Sequence, residues 1–133
     1  MKKLTLDTNV LVRIAVLDYA AQARVAATAI RDAELLAIPL AVLCEFVWVL
    51  GRGYRKSPSE IAGAVRRLLN SRKVALNRPA VDAGLAVLEA GGDFADGVAA
   101  YEGQWLGGSQ FLTFHRKAAS LLPSHGYPVR LLH

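Results

Sequence analysis

The feature that most limits what this chain can become is an alternation. Short, mostly apolar runs at residues 3–6, 35–38, 73–76, 110–114 and 129–132 are separated by longer stretches with helical spacing. Short apolar strands alternating with helices imply a mostly parallel sheet covered on both faces. The intervening helices are expected over residues 9–17, 19–31, 40–50, 58–69, 79–90, 94–105 and 115–122. Their ends are marked by Pro39, by Ser57-Pro58-Ser59-Glu60, and by the glycines at 51, 53, 91, 92, 107, 108 and 126. The sequence therefore predicts an α/β fold with a mostly parallel sheet of about five strands. No linker or repeat divides it, and 133 residues are expected to form a single domain, 1–133.

Composition closes off other classes. With 53% hydrophobic residues the chain has too much apolar surface to stay disordered. Cys44 is the only cysteine, which excludes an internal disulfide and a cysteine-based zinc site. The longest apolar stretch, residues 35–50, is interrupted by Pro39 and Glu45 and falls short of a membrane span. Asp7 comes before any run of signal-peptide length, so a soluble cytoplasmic protein is expected. The net charge of +5 comes largely from residues 52–73, where Arg52, Arg55, Lys56, Arg66, Arg67, Arg72 and Lys73 face only Glu60. Such a surface can attract a polyanion by releasing its counterions, and it can equally be a solvated face.

In a parallel sheet, ligands bind beyond the carboxyl ends of the strands, which directs attention to acids at strand-to-helix junctions. Asp7 follows the first run and can serve either as a helix N-cap or as an oxygen ligand at the sheet edge. Glu45 has apolar neighbours all round, so its helix is expected to be buried, and a buried carboxylate needs a basic partner or a cation. Asp93 and Asp96 bracket Phe94-Ala95. They read as a cap plus a first-turn acid, or as two carboxylates close enough to require a cation. Four acids without matching histidines favour a hard ion, Mg²⁺ or Mn²⁺, and such an ion can activate water against a phosphodiester.

These residues carry a resemblance. Leu4-Thr5-Leu6-Asp7-Thr8-Asn9-Val10, Glu45 in an apolar helix, Asp93-Phe94-Ala95-Asp96 and Phe111-Leu112-Thr113-Phe114-His115-Arg116-Lys117 resemble the PIN-domain family, and more narrowly its VapC-type toxin ribonucleases. The likeness spans essentially the whole chain. It implies a three-layer α/β/α sandwich and cleavage of RNA with Mg²⁺ or Mn²⁺. It also implies a homodimer and a small cognate antitoxin docking near the active site. Asp7, Glu45 and Asp96 match the family's principal acids, Asp93 an acid beside the third, and Asn9 and Thr113 small polar positions around the site. One departure stands out: where the family commonly has a fourth acid, two residues after Thr113, this chain has His115. The change removes a negative charge and a hard oxygen ligand. Asp93 could compensate, His115 could donate to a phosphate, or His115 could simply occupy an exposed cap position.

Other families fit less well. A haloacid-dehalogenase-type phosphatase needs a second acid where Asn9 stands, and a dinucleotide fold needs glycines where Asp7-Thr8-Asn9 stands. The sequence thus predicts a metal-dependent endoribonuclease, the toxin of a toxin–antitoxin pair, with Arg13, Arg116, Lys117 or the 52–73 stretch positioning the RNA. The alternative is a PIN-like partner- or RNA-binding module with weak catalysis or none, and His115 is its supporting feature. Trp48, Tyr101, Trp105 and Phe111 are expected in the core or a dimer interface rather than as stacking platforms.

Overall fold

The structure, a computed structural model, describes residues 2–133. The chain divides into two compact units, Met1–Asn77 and Arg78–His133.

In the first unit the order is β1 (Lys2–Thr5), α1 (Thr8–Ala15), α2 (Ala20–Arg31), β2 (Ala33–Ala37), α3 (Leu40–Trp48), α4 (Pro58–Leu69) and β3 (Val74–Ala75). The strands form a parallel three-stranded sheet in the order β1-β2-β3, with Thr5 opposite Ala37 and Ala37 opposite Ala75. Leu6 N–H still donates to Ala37 O (2.9 Å), so the chain stays in register until it turns at Asp7.

Each helix is set by local chemistry. Pro39 precedes α3 in extended conformation and presets its entry. At Gly51 and Gly53 the helix loosens into a π-turn over Val49–Gly53. Ser57 opens α4 with a complete capping box: Ser57 Oγ accepts from Glu60 N–H (3.1 Å), and the Glu60 carboxylate accepts from Ser57 N–H (2.9 Å). Helix α4 buries Ile61, Ala62, Ala64, Val65 and Leu69 on one face, with Arg66 and Arg67 exposed.

The expectation of an α3 buried all round is corrected. Leu43, Phe46 and Val47 form its buried face, continued by Leu50 in the π-turn, while Glu45 is exposed and Trp48 is 62% exposed. The helix is amphipathic after all; an apolar tryptophan on the solvent side disguises the period. Glu45 therefore carries no burial penalty demanding a partner.

The second unit runs α5 (Arg78–Glu89), α6 (Phe94–Trp105), β4 (Phe111–Thr113), α7 (Arg116–Leu121), a 3₁₀ turn (Leu122–His125) and β5 (Val129–Leu131). Strands β4 and β5 pair in parallel, with Phe111 opposite Val129 and Thr113 opposite Leu131. Phe111, Tyr127 and Val129 pack against a core of Val87, Ala100, Ala118 and Leu122. Fully burying side chains such as Val87 and Leu122 contributes about 1.5–3 kcal/mol apiece.

Helices α5 and α6 meet at glycines. A Cβ on Gly97 would stand 2.6 Å from Ala83 O, and one on Gly84 would stand 2.7 Å from the Phe94 ring. Only bare backbone lets these helices approach so closely. That approach fixes the first turn of α6, on which Asp96 sits.

The fold is α/β with parallel strands, as the alternation predicts. Among the described residues the strands are hydrogen-bonded as three and two, where a sheet of about five is expected. Their faces are also less covered than a sheet buried on both sides requires: Lys2, Lys3 and Thr5 are exposed, and Leu112 is 60% exposed. Trp48 and Trp105 (77% exposed) are not core residues; Phe111 and Tyr101 are half-buried. Among the described residues, no helix is long and apolar enough to cross a membrane.

Candidate active site

Asp7 sits immediately beyond the carboxyl end of β1, at the N-cap position of α1, with the extended backbone expected of a cap (φ −84°, ψ 158°). Its side chain nevertheless makes no cap hydrogen bond. Its carbonyl accepts from Val10 and Leu11 N–H, while no hydrogen bond or ion pair from the described residues reaches the carboxylate. The cap role open to this residue is therefore left unused. Thr8 beside it is buried, and Asn9 is exposed at the start of α1.

Glu45 presents its carboxylate from the exposed side of α3 and likewise makes no hydrogen bond or ion pair with the described residues. Asp93 behaves as a cap should: its Oδ1 accepts from Ala95 N–H at 3.0 Å. That employment is structural, whatever else the second oxygen does.

Asp96 lies in the first turn of α6, with its side chain 23% exposed. Its Oδ2 is 3.0 Å from His115 Nδ1. His115 is the N-cap residue of α7, yet its side chain makes no cap bond. Its own N–H donates to Thr113 Oγ1 at 2.9 Å. Thr113 thus tightens the turn leaving β4, and the turn delivers the imidazole to Asp96. The bare cap reading of His115 misses this contact. Sequence reasoning named Thr113, His115 and Asp96 separately, and only the fold joins them.

The cations differ in their employment. Arg13 donates to Asp18 Oδ1 (2.9 Å) and to Tyr54 Oη (3.2 Å), and its guanidinium lies 4.6 Å from the centroid of the Tyr19 ring. Tyr54 in turn donates to Asp18 Oδ2 (2.8 Å). The bond to Tyr54 raises the Arg13 pKa further, with the negative charge of Asp18 adding to it. No local pattern reveals this network, because Tyr54 lies far from Arg13 along the chain. Arg116 and Lys117 are exposed in the first turn of α7.

Asp7 and Glu45 are free of protein partners among the described residues, and Asp96 commits only Oδ2; carboxylate oxygen is the kind of donor that a hard divalent ion takes. Within neither unit do three His, Cys, Asp or Glu side chains among the described residues gather into a metal-holding group.

A family model described as the PIN domain matches residues 4–100, well over half of the chain. The chain belongs to the PIN domain family. PIN domains are typically metal-dependent nucleases that use divalent ions, and membership supports a nuclease role here. The matched stretch contains Asp7, Glu45, Asp93 and Asp96 and stops before β4, so Thr113 and His115 lie outside it. No curated protein matches the chain.

Proposed function

We propose that this PIN domain is a divalent-metal-dependent endoribonuclease, the toxin of a type II toxin–antitoxin pair, acting as one domain over residues 1–133. The observation that carries the reading is Asp7. A carboxylate placed just past a parallel strand, in cap position but without a cap bond, keeps both oxygens available to a ligand.

Asp7, Glu45 and Asp96 hold the cation, Mg²⁺ or Mn²⁺, with Asp93 assisting through the oxygen its cap bond leaves free. When bound, the ion lowers the pKa of a water and neutralises charge building on the phosphodiester. Asn9 is a small polar position beside the site, Thr113 orients the turn to His115, and Arg116 and Lys117 hold the RNA phosphates. Arg13 contributes less directly, since Asp18 and Tyr54 engage its guanidinium.

The proposed partners are RNA, a second copy of the chain and a small antitoxin, in the cytoplasm. A groove of about 490 Å³ between α1 and α2, lined by Val10, Ala21, Val25, Ala26 and Ala29 and edged by Asn9 and Arg13, offers an apolar surface for such a partner.

Incubating RNA with the purified protein tests this reading. Cleavage with Mg²⁺ or Mn²⁺ that EDTA stops and Asp7→Asn abolishes is the expected result; equal cleavage by both proteins removes Asp7 from the chemistry. One observation favours a second reading, a binding module with weak catalysis. His115 already occupies an oxygen of Asp96, and no three-residue metal group forms within a unit among the described residues.

A further inference from the structure

We infer that the groove between the end of α1 and helix α4 is a phosphate track for the RNA strand, gripped by Lys56 and Arg67 and led into by Arg52 and Arg55. The inference takes RNA as the ligand from the nuclease reading and says where the strand runs beyond the reacting phosphate.

Three observations carry it. First, the groove has a volume of about 350 Å³, and Lys56 and Arg67 both line it, together with Ala15, Val16, Leu50 and Gly63. Its one acid, Glu60, already commits an oxygen to Ser57 N–H. Arg52, Arg55, Lys56 and Arg67 make no side-chain hydrogen bond or ion pair among the described residues. A merely solvated face intersperses its two signs, whereas here four cations stand against one engaged acid.

Second, Arg55 adopts φ +53°, and it is the only residue other than glycine to do so among the described residues; Gly91, Gly107 and Gly126 hold the other positive angles. A left-handed backbone disfavours any side chain, and glycine is the residue that suits it. An arginine there holds its charge at that point against the preference of its own backbone, and such outliers gather where ligands are held.

Third, the turn is pinned. Tyr54 N–H donates to Val49 O (3.2 Å) and Lys56 N–H to Leu50 O (3.0 Å). The Tyr54 hydroxyl donates to Asp18 Oδ2 (2.8 Å) and accepts from Arg13 (3.2 Å). Cations on a fixed turn lose less freedom on binding than cations on a loose loop.

The position also suits the proposed chemistry. Asp7 precedes α1 and Ala15 ends it, so at 1.5 Å per residue the groove begins roughly 12 Å along the helix from Asp7. One short strand reaches both. Each cation then neutralises a phosphate and releases its counterion, which makes binding depend steeply on salt.

Fluorescence anisotropy of a labelled oligouridylate with the full chain, read across a salt series with EDTA holding off cleavage, tests the track. Each phosphate contact contributes about 0.7 to the log–log salt slope of single-strand binding. Lys56→Gln and Arg67→Gln should each flatten the slope by about that amount. Arg24→Gln, exposed on α2 outside the groove, should leave it close to wild type. Arg55→Gly should flatten the slope and also raise the urea midpoint, since the turn gains the residue its backbone favours. Slopes for Lys56→Gln and Arg67→Gln no flatter than that of Arg24→Gln overturn the track and leave the nuclease reading standing. Wild type that binds no oligouridylate at low salt likewise overturns the track. RNA held with the expected slopes yet left uncut with Mn²⁺ supports the track and overturns the nuclease reading.

Discussion

Replacing Gly97 by alanine probes the contact that sets Asp96. The added Cβ would stand 2.6 Å from Ala83 O, 2.9 Å from Gly84 Cα and 3.0 Å from Val87 Cγ2, all inside the 3.4 Å at which ordinary contact begins. Two of the three neighbours are backbone atoms, which cannot swing away as a flexible side chain does. Helix α6 must therefore move off α5. Overpacking of this kind costs about 1–3 kcal/mol and the better helix propensity of alanine returns about 1 kcal/mol, leaving a net loss of about 1 kcal/mol at mid-range.

Gly63 supplies the control. It lies inside α4, and a Cβ there meets nothing within 4 Å. Gly63→Ala should therefore stabilise by about 0.5–1 kcal/mol. Urea unfolding of both variants beside wild type gives the comparison. The account predicts opposite shifts of the midpoint, downward for Gly97→Ala and upward for Gly63→Ala. A Gly97→Ala protein as stable as wild type, or more so, would refute the claim that bare backbone is required between these helices.

Two further perturbations follow from caps. The Ser57 N–H, and then its hydroxyl, hold the Glu60 carboxyl below its ordinary pKa. A depressed carboxyl stabilises the fold above its unfolded pKa, and that contribution is lost as pH falls through the folded value. Urea unfolding should therefore show stability falling below about pH 4, less steeply in Glu60→Gln, and Ser57→Ala should cost about 1 kcal/mol at neutral pH. At Asp93, asparagine preserves the cap bond to Ala95 while alanine loses it. Asp93→Asn should stay within about 0.5 kcal/mol of wild type and Asp93→Ala should lose about 1 kcal/mol, both read by thermal unfolding.

The sequence was most informative where local chemistry decides. Helix α6 begins at Phe94 and ends at Trp105, as read from the chain, because Asp93 caps it and Gly107, with φ +104°, stops it. Strand β3 shrinks to Val74–Ala75, since hydrogen bonding to β2, which no local pattern reveals, sets its length. The burial of α3 is not legible because Trp48 lies on the same exposed side as Glu45 and hides the polar stripe. At the site, the acids could be picked out one by one. The pairing of Asp96 with His115 and of Arg13 with Tyr54 could not, since each joins residues distant in the chain.

The proposal that Asp7, Glu45 and Asp96 hold a divalent ion stands or falls on calorimetric titration of Mn²⁺ into wild type, Asp7→Asn and Asp96→Asn. Wild type should bind the ion, and each variant should lose at least about tenfold in affinity with its fold retained by circular dichroism. Undiminished Mn²⁺ affinity in both variants would overturn the proposal.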